Sequence, residues 1–181
     1  LGSDDFICPI TVRMLIEEIR SGKLFTGVMD MQIYDSISSE LYHWSGYRGP
    51  SPHRKWETIG MARGLSRKLL DHLNFSLWSD EPINKGLDGL MTRKISGAGL
   101  LPIPHSEEVQ IALDDGDYLF GHSGIRTADF GGLAIDVKGG QNISPLGSYN
   151  LTCHDVIKES RNLLQRNLGV EIANKILGVG K

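Results

Sequence analysis

Two residues in this chain have the types and setting for covalent chemistry. Ser123 stands in Gly121-His122-Ser123-Gly124, and Lys158 follows 158 − 123 = 35 residues later in Lys-Glu-Ser-Arg-Asn-Leu-Leu-Gln-Arg-Asn-Leu-Gly. Glycines on both sides let the backbone turn sharply and let a substrate come close. A serine hydroxyl is a poor nucleophile until a base removes its proton. Lysine is such a base only as the free amine, so its ordinary pKa of ~10.4 has to fall by several units. Burial lowers it because the charged form loses hydration, and a helix N-terminus lowers it further because the dipole there opposes a cation. Lys158 follows Val156 and Ile157 in the first turns of a predicted helix. The pattern predicts a Ser/Lys hydrolase. Ser123 is the nucleophile, Lys158 is first base and then acid, and the backbone N–H groups of His122, Ser123 and Gly124 surround the oxyanion. That chemistry needs no metal and no cofactor. The plainer reading of Lys158 is a solvated lysine at helical spacing.

A second constellation lies just downstream. Asp129, Asp136 and Lys138 stand in Thr-Ala-Asp-Phe-Gly-Gly-Leu-Ala-Ile-Asp-Val-Lys, which is similar to the Asp…(Asp/Glu)-x-Lys core of metal-dependent nucleases. A two-residue Gly131-Gly132 turn would pair Phe130 with Leu133 and Asp129 with Ala134. Alternation along the strands then puts Asp129, Asp136 and Lys138 on one face and Phe130, Leu133, Ile135 and Val137 on the other. Two carboxylates and a lysine suit a Mg²⁺ ion and an attacking water. The same segment also reads as a plain amphipathic hairpin with its polar face in water. A histidine-based triad would draw on His105, His122 or His154, the last followed by Asp155. His122 adjoins Ser123 and can hardly turn back to take its proton.

The elements that must hold these groups can be sketched from periodicity. Thr11 caps a predicted helix that runs to Ser21 and stops at Gly22. Leu24 to Tyr34 reads as one strand and Leu41 to Trp44 as another. Tyr47-Arg48-Gly49-Pro50-Ser51-Pro52 is a loop. Ile59, Leu65, Leu69, Leu70 and Leu73 predict a helix over 56–73. Residues 82–106 read as short strands and loops. Glu108–Leu113 and Tyr118–Phe120 read as strands joined by Asp114-Asp115-Gly116-Asp117. Leu133 to Val137 is a strand, and 141–150 is a loop. Thr152-x-x-Asp155 is a capping box opening a helix that ends at Gly169. A short helix or strand follows from Val170. The expected class is α+β, β-rich in its middle, with the lysine on a helix that follows a Gly-flanked serine turn.

The bulk numbers narrow the options. With 181 residues, 40% hydrophobic and 23% charged, the chain can bury a sizeable core, and its net charge of −3 argues against a protein that coats nucleic acid. Cys8 and Cys153 match no zinc or redox spacing, and no run of 18 or more apolar residues predicts a membrane span. The expected organisation is an N-terminal region over 1–110, which binds substrate, and a catalytic region over 111–181.

From Ser123 to Gly169 the chain resembles the Ser/Lys proteases of the Lon type, and more closely those that process birnavirus polyproteins. The resemblance is carried by Gly121-His122-Ser123-Gly124, Leu133-Ala134-Ile135-Asp136-Val137, Gly140, Gly147, Lys158-Glu159 and Leu163-Leu164-Gln165-Arg166-Asn167-Leu168-Gly169. It implies an endopeptidase that cuts after small residues, typically Ala, in the virus's own polyprotein, its own termini included. It also implies action in the host cytoplasm, with no nucleic-acid or membrane partner. A structural or interaction domain without catalysis is the remaining alternative.

Overall fold

The computed structural model describes residues 5–47, 57–78, 87–98, 122–139, 146–149, 151 and 160–178. In chain order the elements are β1 (Asp5–Ile7), α1 (Pro9–Arg20), β2 (Phe25–Val28), β3 (Met31–Asp35), β4 (Glu40–Trp44), β5 (Arg63–Leu65), α2 (Arg67–His72), α3 (Leu87–Gly97), β6 (His122–Ile125), β7 (Ala134–Lys138), α4 (Ser160–Leu168) and α5 (Val170–Ile176). Two 3₁₀ turns, Thr127–Phe130 and Leu146–Ser148, complete the set. The fold is α+β. The chain forms two compact units that interleave along the sequence. One comprises Leu1–Arg13, Asp30–Ser45 and Arg126–Lys181, and the other Met14–Met29 and Gly46–Ile125. A division at residue 110 follows the order of the chain. The observed grouping follows strand pairing between distant segments, which a linear reading does not contain.

The first unit is built on a sheet of order β1-β7-β3-β4. β3 and β7 run parallel, Gln32 opposite Ile135, and the outer pairs are antiparallel. Tyr34, Leu41 and Ile135 face a core with Leu133 and Cys8, closed by Leu164 of α4 and Ala173 of α5. Leu163, Leu164 and Leu168 recur at helical spacing, so α4 presents one apolar stripe to that core. α1 begins at Pro9, two residues before the predicted cap, because Thr11 has a different task. Its hydroxyl donates to the Leu133 carbonyl at 3.1 Å and accepts the Leu133 N–H at 3.0 Å. The Cys8 sulfur accepts that same N–H at 3.0 Å. This buried knot fixes the start of α1 against the chain entering β7. Beyond α1, Gly22 takes φ 104°, the left-handed conformation that ends a helix most easily at glycine.

The second unit has a sheet of order β5-β2-β6, with β2–β5 antiparallel and β2–β6 parallel. Phe25 of β2 packs with Leu69 and Leu73 near α2 and with Met91 and Ile95 of α3. Arg63 gathers the irregular chain before β5. Its guanidinium donates to the carbonyls of Ile59 (3.1 Å), Thr58 (2.7 Å) and Asp88 (2.8 Å) and lies 5.4 Å from the centroid of the Phe25 ring. The bonds to Thr58 and Ile59 occupy carbonyls of the irregular chain, and the bond to Asp88 reaches the first turn of α3.

Several predicted elements are corrected here. The single strand over Leu24–Tyr34 is two strands in two sheets, interrupted at Met29 and Asp30. The helix predicted over 56–73 exists only from Arg67. Its first half is irregular and then becomes β5, with Gly64 opposite Thr26. Residues 87–97, predicted as strand and loop, form α3. Segment Thr127–Phe130 is a 3₁₀ turn rather than the first arm of a hairpin. β4, β7, the end of α4 at Leu168 and a helical Val170 segment lie close to the expected places. The predicted strands at 108–113 and 118–120, their turn, and the capping box at 152–155 lie outside the described residues.

The true start of α2 is testable. Ser66 is extended (φ −70°, ψ 152°) and its hydroxyl accepts the Leu69 N–H at 3.1 Å. Ser66→Ala is expected to cost about 1 kcal/mol in urea unfolding, while Ser66→Asp, another good cap, leaves stability nearly unchanged. An unchanged midpoint in Ser66→Ala would place the helix start elsewhere.

Candidate functional site

Ser123 does not lie in a sharp turn. His122, Ser123 and Gly124 form most of β6, an extended strand at the edge of its sheet among the described residues. Thr26 is the partner of Ser123 and Gly27 that of Gly124. In a parallel ladder one residue bonds its neighbour through both N–H and C=O, and the next turns both away. The Ile125 carbonyl accepts the Met29 N–H at 2.8 Å, so Ile125 is a bonding residue. Two positions earlier, Ser123 is as well. The Ser123 amide is therefore engaged by β2, whereas those of His122 and Gly124 turn away from β2. Of the three amides assigned to the oxyanion, those of His122 and Gly124 point away from β2.

Gly124 has a packing reason of its own. A Cβ there would stand 2.4 Å from Met29 Sδ and 2.7 Å from Met29 Cγ. The glycine lets Met29 lie flat on the strand, so the glycine next to the serine serves the core of this unit whatever the serine does. Lys158 lies outside the described residues. The helix expected to carry it is described from Ser160 onward.

The nuclease set is not assembled as the hairpin requires. Asp129 is exposed in the 3₁₀ turn, whereas Asp136 and Lys138 are buried on β7. Lys138 Nζ lies 2.5 Å from Asp136 Oδ2 and 5.3 Å from the centroid of the Tyr149 ring. The Tyr149 hydroxyl donates to the same carboxylate oxygen at 3.4 Å, and its ring meets Trp44 edge-on at 5.1 Å. The polar side chains of β7 are thus withdrawn from water. Asp5, the cross-strand partner of Asp136, is a carboxylate the sequence reading did not bring to this strand. Among the described residues, no group of three or more His, Cys, Asp or Glu is placed to hold a metal ion. Burial pulls the Lys138 amine down, but the hydrogen bond and charge of Asp136, with Tyr149, outweigh it and hold the pKa above the usual 10.5. Lys138 is thus a cation at neutral pH and not a free amine.

The structure also assembles a pair that the sequence reading passed over. Asp30, 2% exposed, accepts the Thr127 N–H at 2.6 Å and lies 3.4 Å from His43 Nε2. Burial raises the Asp30 pKa, but hydrogen bonds from His43 and from the Thr127 amide and hydroxyl hold it below the usual 3.8. The available signal was a lone carboxylate inside the apolar run Val28-Met29-Asp30-Met31, since a buried acid needs partners.

No protein-family model matches the chain, and neither a curated protein nor a solved structure matches it. Among the described residues no helix is long and apolar enough to cross a membrane.

Two outcomes follow from the buried charges. Lys138→Met removes the cation from the buried Asp136 carboxylate and is expected to cost about 3–5 kcal/mol in denaturant unfolding, while Asp136→Leu/Lys138→Met recovers most of the loss. A surface-like cost under 1 kcal/mol would contradict the buried pair. Asp30 has a folded pKa below its unfolded value, so its stabilisation is present above the unfolded value and is lost as pH falls through the folded one. The stability gap between the native protein and Asp30→Asn is expected to be full at neutral pH and to close below about pH 3.8. A gap that persists into strong acid would contradict the assignment.

Proposed function

We propose that the chain is a serine endopeptidase in which Ser123 attacks the scissile carbonyl and Lys158 accepts its proton. The observation that supports this reading is the place of Ser123 on a strand that is an edge among the described residues, with the amides of His122 and Gly124 turned away from β2. An extended peptide added to such an edge bonds through its main chain and lies along the strand beside the serine. Peptides are suited to this site because recognition there is by backbone pairing. The amide of Gly124 or His122 then stabilises the oxyanion. Lys158 afterwards returns its proton to the leaving amine. The substrate is a polypeptide cut after small residues. In the viral reading it is the protein's own polyprotein, processed in the host cytoplasm.

The test uses a peptide with Ala before the scissile bond. Its turnover is expected to rise with pH and level off above the depressed lysine pKa, and to be unaffected by EDTA. Ser123→Ala and Lys158→Met are each expected to lower it by at least about 100-fold with the fold intact. Lys158→Arg is expected to be nearly as damaging, because guanidinium stays protonated and cannot take the serine proton. Full activity in Lys158→Arg would remove Lys158 from the mechanism. Mg²⁺-dependent DNA cleavage that survives Ser123→Ala would favour the nuclease read from Asp129, Asp136 and Lys138.

A further inference from the structure

Within the second unit, β2 is the middle strand, with β5 on one side and β6 on the other. Thr26 of β2 stands opposite Gly64 of β5 and opposite Ser123 of β6. Residues directly opposed on neighbouring strands occupy the same face of a sheet, so the position of Ser123 adjoins that of Thr26. Thr26 is 0% exposed, and a hydroxyl so buried is hydrogen-bonded inside the protein. A Cβ on Gly64 would stand 2.7 Å from Thr26 Cγ2, and the next nearest atoms would be Ile19 Cγ1 at 3.6 Å and Ile19 Cδ1 at 3.9 Å. Thr26 Oγ1 is thus no nearer to that point than 3.9 Å. The methyl group takes the space beside the glycine, and the hydroxyl is turned away from it. Across β2 from Gly64 stands Ser123. Neighbouring strands lie about 4.8 Å apart, so hydroxyls on opposed Cβ atoms are within reach of a direct hydrogen bond.

We propose that Thr26 is a positioning residue for the nucleophile: its hydroxyl donates to Ser123 Oγ and fixes the rotamer from which the serine attacks. The proposal rests on the reading of Ser123 as nucleophile. A hydroxyl donates one proton and accepts through two lone pairs. With one lone pair held by Thr26, the serine keeps its own proton for Lys158 and its second lone pair for the scissile carbonyl. A serine held in one rotamer gives up less freedom on reaching the attack geometry. Thr26 lies on the inner strand and acts through the serine, not on the substrate.

The test makes two measurements on the full chain. One is the burst of nitrophenolate released when p-nitrophenyl acetate acylates Ser123. The other is a double-mutant cycle in urea unfolding between Thr26→Val and Ser123→Ala, which reads no activity. Thr26→Val keeps the β-branch and the volume but loses the hydroxyl. It is expected to slow the burst at least about tenfold with unchanged far-UV circular dichroism. Thr26→Ser keeps the hydroxyl and is expected to hold the rate within about threefold of the native one. In the cycle, the two effects on the folding equilibrium constant are expected to depart from additivity by at least about threefold. Should Thr26→Val not fold, Thr26→Ala replaces it, since alanine and serine differ only by the hydroxyl. A native burst in Thr26→Val would overturn the proposal. So would a burst equally slow in Thr26→Val and Thr26→Ser, because the methyl packing and not the hydroxyl would then matter. Additive effects in the cycle would overturn it as well, since the two hydroxyls would not meet. The absence of any acetyl adduct on Ser123 in the native protein removes the nucleophile reading itself and this role with it, while the cycle still reports whether the two side chains touch.

Discussion

Where the segments 25–35 and 122–138 pass from one strand pairing to the other, the Thr127 amide meets the buried carboxylate of Asp30. Up to that bond the segments keep one register, and beyond it they pair again six residues out of step. An acid with 2% exposure is tolerable only if its oxygens are occupied, and here an amide takes one and an imidazole approaches the other. The surplus residues must then leave the ladder, and they do so as a 3₁₀ turn ending at Gly131 with φ 65°. β6, with Ser123, and β7, with Asp136 and Lys138, are thus separated by a turn whose first amide Asp30 holds.

The two chemistries read from the sequence make different demands on this framework. A nucleophilic serine needs a strand edge and donors turned outward; among the described residues β6 lies at a sheet edge, and the amides of His122 and Gly124 turn away from β2. A metal nuclease needs carboxylates that face solvent and a cation. On β7 one carboxylate is closed off by the ammonium of Lys138 and the hydroxyl of Tyr149. A buried ion pair of this kind lends specificity more readily than net stability, because desolvation offsets much of its attraction. The proposed mechanism needs a neutral lysine, and the environment of Lys138 favours the charged form.

Local features were legible in the sequence where one residue's own chemistry decides the outcome. Gly22 and Gly169 mark helix boundaries, and the run Leu133–Val137 gives β7 within a residue. Features decided by distant partners were not legible. The run Leu24–Tyr34 is mostly apolar, and its pairing with 122–125 and then 135–138 divides it. The apolar spacing of 59–73 suits a helix, yet the guanidinium of Arg63 bonds the carbonyls of Thr58 and Ile59 in an irregular path. The glycine beside Ser123 looked like a catalytic turn and proves to be a place where Met29 packs on a strand. Within the candidate site, the serine's element could be inferred only as "after an apolar strand". Its partners Thr26 and Gly27 lie about a hundred residues away in sequence, beyond any local pattern.

The proposed mechanism requires Lys158 to be a free amine, and the titration of its side chain decides whether it is. Lysine labelled with ¹³C at Cε, with Lys158→Met to assign the signal, gives the pKa of this one amine by NMR in the folded protein. The account expects a value depressed by at least one unit from the ordinary ~10.4, and a further change when Ser123 is replaced by alanine. A Lys158 signal that titrates near 10.4 and ignores Ser123→Ala would contradict it.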